Sequence, residues 1–207
     1  MSDVATLERP EKLSRAKRLK EATHAAHDRL DTAIMAGKPF ADRDRYGLFL
    51  KVQHAFHADI DALYDDPTLD GLLPDLENRR RFAAIRQDLA DLGIAEPALA
   101  PQPAFAKGAA LDLPTALGWL YVAEGSNLGA AFLLKEAAKL GLSEIFGARH
   151  LAGAPEGRGL HWRTFTAALD TVALTDADEA RVIAGAEAAF RRVRGLVDTI
   201  FGEAATA

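Results

Sequence analysis

The sequence predicts an all-α single domain. Apolar residues recur at spacings of three and four through most of the chain, and no stretch alternates convincingly enough for a strand. Neither an internal repeat nor a Gly/Pro/Ser-rich linker divides the 207 residues, a length that suits one core. Apolar residues make up 49 % and charged residues 27 %, the ordinary globular balance. A formal charge of −5 leaves no broad basic footprint, so nucleic acid is not an expected partner. With no cysteine, disulfides, thiolate metal sites, iron–sulfur clusters and a Cys nucleophile are excluded, leaving His, Asp and Glu as the strong metal ligands. The stretch Met1 to Lys12 has no apolar signal region, and no uncharged apolar run reaches about 18 residues. A cytoplasmic protein with no membrane contact follows as the expectation, with a monomer as the simplest state.

The first helix is expected from Leu13 to about Leu30, after a loose tail over 1–11. Leu13, Ala16, Leu19, Ala22, Ala26 and Leu30 form its stripe. It continues or restarts through Ile34 and Met35 and stops at Gly37-Lys38-Pro39. Asp42 or Asp44 caps a second helix, about Arg43 to Tyr64, which Asp65-Asp66-Pro67 ends. A third is predicted over Leu76–Leu92, followed by a Pro- and Ala-rich loop to Leu113. Pro114 suits the first turn of a long helix reaching about Leu140. Glycines and Pro155 break up 141–158, with room for one short helix. Helices over Leu160–Val172 and Asp176–Phe201 complete the domain, 12–202, leaving 203–207 as a second tail.

The long helix has a weak centre. Gly125 and Gly129 each cost roughly 1 kcal/mol relative to alanine in a helix interior. Ser126 and Asn127, between them, compete for backbone groups. Four residues apart, the two glycines leave one face without side chains. That face suits either another backbone in close packing or something flat.

Histidines supply the second signal. His24 and His27, like His54 and His57, stand three apart, a spacing that can hold a metal and that also arises by chance on long helices. Glu21-x-x-His24 matches half of a di-iron signature, but no second Glu-x-x-His exists. Haem asks for one imidazole on iron, a cleft between two flat faces, and cations for its propionates. His27 could be the axial ligand. Lys20, seven residues earlier, lies about 10 Å along the same face, which suits a propionate. Taken singly, Lys20 reads equally as a solvated surface lysine and His27 as a surface histidine.

Leu19-Lys20-Glu21-Ala22-Thr23-His24-Ala25-Ala26-His27 resembles the proximal helix of haem oxygenases. Gly125-Ser126-Asn127-Leu128-Gly129 resembles their distal helix, and the block from Ala116 to Leu133 is similar to bacterial, biliverdin-producing members. The resemblance extends over roughly 13–202. It implies haem held between a proximal and a kinked distal helix, with His27 as the proximal iron ligand and Gly125 and Gly129 forming the kink. Ser126 stands where mammalian-type members carry a water-ordering aspartate, so proton delivery would run through water held by backbone and more distant side chains. Gln53, His57 and one of Arg79 to Arg81 resemble that outer shell. Tyr121 resembles a propionate partner, with a buried core tyrosine as the equal alternative. Arg163 would be a further propionate contact and Phe190 a pocket wall. The implied reaction opens haem to biliverdin, carbon monoxide and iron, with haem as both cofactor and substrate. No Gly-x-Gly-x-x-Gly fingerprint is present, so electrons would come from a separate ferredoxin or flavoprotein reductase. A non-catalytic haem carrier or sensor would use the same pocket.

Overall fold

In the computed structural model, residues 13–100 and 102–206 are described. The expected tail over 1–11 lies outside them. Helices α1 (Arg15–Ala36), α2 (Arg43–Ile60), α3 (Pro67–Leu72), α4 (Phe82–Asp91), α5 (Leu113–Ala138), α6 (Arg158–Thr171) and α7 (Asp176–Thr206) follow in order. There is no strand among the described residues, only isolated bridges from Ser143 to Phe146 and Gly147.

The caps explain the boundaries. Ser14 Oγ accepts from Lys17 N–H at 3.3 Å to start α1, and Asp42 accepts from Arg45 N–H at 2.7 Å to start α2. Thr175 and Asp178 exchange hydrogen bonds in a reciprocal box at the start of α7. Asp66 was expected to end a helix. It does, closing the 3-10 turn Asp61–Asp65, but it also caps an unexpected helix, α3, accepting from Thr68 and Leu69 N–H, with Pro67 as the first helical residue.

Three other boundaries differ from expectation. The second helix tightens into a 3-10 turn at Asp61–Asp65. The third is not continuous over 76–92: Glu77–Arg79 form a 3-10 turn, Arg80 is extended, and α4 starts only at Phe82. The last helix runs on past Phe201 to Thr206, so the expected second tail is helical over 203–206.

α5 is the centre of the molecule. From Ala116 to Glu124 every residue is buried, as an all-round apolar helix requires. Its largest contact is with α7, which also packs on α1 and α2. The α5–α7 crossing is tight at Gly118 and Gly185. A Cβ on Gly118 would stand 2.2 Å from Val182 O, and one on Gly185 would stand 2.6 Å from Thr115 O. Backbone therefore meets backbone here, the close packing first entertained for Gly125 and Gly129.

Arg15, 5 % exposed, fastens the start of α1. Its guanidinium donates to Val172 O at 2.8 Å, to Leu169 O, and to the Glu179 carboxylate at 2.8 and 3.0 Å.

Candidate functional site

α1 and α5 both pack against α6 and α7 but barely touch each other. Both helices thus rest on the same two neighbours, α6 and α7. On α5, Tyr121, Gly125, Leu128, Gly129 and Phe132 fall on one face by their spacing. Leu128 and Phe132 are 43 % and 55 % exposed, and a Cβ on Gly129 would meet nothing within 4 Å. A Cβ on Gly125 would meet only the Trp162 ring, at 3.6 Å. Trp162 of α6 covers the Tyr121 and Gly125 end of this face, while Leu128, Gly129 and Phe132 stay open among the described residues. The hydrogen-bond ladder of α5 runs unbroken through both glycines, so the expected kink does not interrupt it.

His27 on α1 is exposed, and its ring meets Phe190 of α7 edge-on, with centroids 5.9 Å apart. Asp31 Oδ2 lies 3.3 Å from His27 Nδ1. A carboxylate there favours a proton on Nδ1 and leaves Nε2 as the free lone pair. Tyr121, 8 % exposed, packs on Trp162 with centroids 5.5 Å apart, and burial raises its phenol above the usual range. Lys20 and Arg163 are exposed. Ser126 Oγ donates to Ala123 O at 2.7 Å, so its hydroxyl is turned to its own helix.

A polar cluster gathers around His57 on α2 and Asp88 on α4. Gln53 is half-buried and His57 is 5 % exposed. Burial first, then the positive fields of His150 and Arg81, lower the His57 imidazole to about 3, so it is neutral at ordinary pH. Asp88, fully buried, accepts from His150 Nδ1 at 2.8 Å and from the His150 and Arg149 amides. His57 Nδ1, Arg81 Nε and His150 Nε2 are buried with no protein hydrogen bond among the described residues. Nitrogens in that condition are suited to holding water.

The three consecutive arginines separate completely. Arg80 bridges Asp61 and Asp65 at the surface, and Arg81 reaches Ala152 O at 3.3 Å. Arg79, 1 % exposed, donates to Glu124 Oε2 at 2.8 Å and to His161 O at 3.2 Å. Glu124 also receives the Tyr64 hydroxyl at 3.5 Å, and His161 Nε2 lies 3.6 Å from it. The adjacent Glu124 carboxylate raises the His161 imidazole against the cost of burial, and Glu156, 2.7 Å from Nδ1, adds to the effect.

The family model described as Heme oxygenase matches residues 13–199. The chain belongs to the haem oxygenase family. It is 43 % identical to Heme oxygenase PigA of Pseudomonas aeruginosa over 187 residues, 90 % of this chain and 93 % of the relative. Heme oxygenase of Xanthomonas campestris pv. campestris is 32 % identical over 157 residues, 74 % of this chain and 89 % of that one. Among solved structures, the NO- and CO-bound heme oxygenase of Neisseria meningitidis aligns with a TM-score of 0.85 at 44 % identity, covering 92 % of this chain and 93 % of that one. Heme oxygenase-1 of Synechocystis in complex with heme shares the fold, with a TM-score of 0.71 at 15 % identity. The all-α architecture read from the periodicity is thus that of the haem oxygenases, and the chain is an enzyme of that family.

Two separate contacts involve predicted residues. His27 and Phe190 touch, while Tyr121 and Gly125 share Trp162. Trp162, Glu124 and His161 escaped the sequence reading, which named Arg79 only as one of three adjacent arginines. A signal for Glu124 was available: one carboxylate ending the apolar run from Ala116 to Ala123 can be buried only with a cation. Its partner, one of three arginines in a row, carried no such mark.

Proposed function

We propose that this haem oxygenase cleaves haem to biliverdin, carbon monoxide and free iron, taking electrons from a separate ferredoxin or flavoprotein reductase and working as a cytoplasmic monomer. The open face of α5, two glycines framed by the exposed Leu128 and Phe132, is the observation that carries this reading. A flat apolar ring fills such a face, and a side chain at either glycine would occupy the space an oxygen molecule needs. Exposed His27, its Nδ1 held beside Asp31, fits an iron ligand acting through Nε2. When bound, haem supplies the iron that binds and reduces oxygen, and its own ring is the substrate.

The residues then divide the work. His27 holds the ring from the α1 side, while Phe190 and Trp162 form the floor. Lys20, Arg163 and the Tyr121 hydroxyl serve the propionates. Gly125 and Gly129 let the α5 backbone come close and bias oxygen toward the ring edge. Ser126 spends its hydroxyl on Ala123 O and is a poor direct proton donor. Gln53 and His57 fit better as holders of water that carries protons, since a neutral buried imidazole can both donate and accept. Addition of haemin, oxygen and ascorbate or a reductase tests the proposal. The expected result is loss of the Soret band and growth of a bilin spectrum. His27→Ala should abolish both coordination and turnover, with the apo-protein melting point unchanged because the ring is exposed. A Soret band stable under reductant in air would make the protein a carrier or sensor.

A further inference from the structure

Burial along α5 changes abruptly in its middle. Every residue from Ala116 to Glu124 is buried, whereas from Gly125 to Phe132 Ala130 alone is. Contacts from outside the helix converge on that boundary, beginning with the Tyr64 hydroxyl on Glu124 at 3.5 Å. Arg79, from the turn before α4, holds the Glu124 carboxylate at 2.8 Å, with both side chains 1 % exposed. The imidazole of His161 on α6 lies 3.6 Å from the same carboxylate. Arg158, at the start of α6, donates to the main-chain Asn127 O at 2.9 Å. The Trp162 ring lies under Gly125, where an added Cβ would meet it at 3.6 Å.

Asn127 O is a carbonyl in the weakest part of the helix, and a guanidinium on it fixes backbone directly. A carboxylate buried as deeply as Glu124 is tied to its cation, because parting them would strand two charges away from water. Arg79 is held in turn by Pro74 O at 3.1 Å and His161 O, so the anchor is itself rigid.

We infer that Arg79, Glu124, Arg158 and His161 are positioning residues that clamp α5 over 124–127, so that this helix opens only beyond Asn127. The clamp sets where the mobile part begins and how far the glycine face lies from the floor. The use of that motion, admitting a flat substrate and releasing an open-chain product, rests on the proposed function; the clamp itself does not.

Amide hydrogen exchange on the apo-protein tests it, beside urea unfolding to normalise for global stability. In the wild type, 128–133 should exchange at least tenfold faster than 116–123. In Glu124→Gln and in Arg158→Met, exchange at 124–127 should rise at least tenfold beyond the change in global stability, with 116–123 unmoved. Uniform acceleration of all of α5 in proportion to global stability would make these residues ordinary core contacts and overturn the inference. So would equal protection of 116–123 and 128–133 in the wild type. Should Glu124→Gln fail to fold, Arg158→Met, which leaves the buried pair intact, decides alone. None of these readouts uses haem, so they stand or fall separately from turnover.

Discussion

Alanine at two glycines of α5 should move stability in opposite directions. At Gly118 the new Cβ would lie 2.2 Å from Val182 O and 2.5 Å from Ala186 N. Both are main-chain atoms of α7, so no rotamer change relieves the contact and the helices must part. Overpacking of this kind costs about 1–3 kcal/mol, and a purely backbone neighbour places it at the upper end. The gain in helix propensity, about 1 kcal/mol, offsets part of that and leaves a net loss of about 2 kcal/mol. At Gly129 nothing lies within 4 Å, so the propensity gain of about 1 kcal/mol stands uncontested. For a chain of this size each kcal/mol shifts Tm by roughly 2–4 °C. Gly118→Ala should therefore melt about 4–8 °C below wild type and Gly129→Ala about 2–4 °C above it, measured by calorimetry on the apo-protein. The more stable variant should nonetheless turn over haem several-fold more slowly, because its methyl group enters the open face. A neutral Gly118→Ala or a destabilised Gly129→Ala would refute the packing argument. Undiminished turnover in Gly129→Ala would remove that face from the site.

Two further outcomes follow from buried polar groups. His57 stays neutral in the fold down to about pH 3 but takes a proton near 6.5 once unfolded. Its contribution is thus complete above about pH 6.5 and falls by roughly 1.4 kcal/mol per pH unit below it. Urea midpoints from pH 7 to 4 should decline more steeply for wild type than for His57→Gln, and parallel slopes would refute the assignment. Arg15→Met strands Leu169 O and Val172 O, which should cost about 2–3 kcal/mol by calorimetry. A loss under about 0.5 kcal/mol would mean that α1 is held by its apolar stripe alone.

The glycines show what a single chain can and cannot disclose. Gly125 and Gly129 stood out as a pair because their spacing is intrahelical, and spacing within one helix is legible from residue order. Gly118 did not, because its necessity comes from Gly185 on a helix far along the chain. The same limit hid the clamp: Glu124 and Arg79 are 45 residues apart and meet only through the fold. His27 was legible through its local motif, yet its contact with Phe190 depends on how α1 lies across α7. The helix breaks missed at Asp61 and Arg80 lie in short turns. There, capping chemistry competes with continued periodicity, and propensity alone does not decide.

Local opening of the exposed stretch around Leu128 and Phe132 would tie the lifetime of the protein to its supply of substrate. A protease needs a locally opened segment, and cleavage follows the population of that open form. A ligand that binds only the closed form reduces that population in proportion to its occupancy. A cell starved of haem would therefore hold the enzyme in the form most readily degraded, and haem arriving would slow its removal before any gene responded.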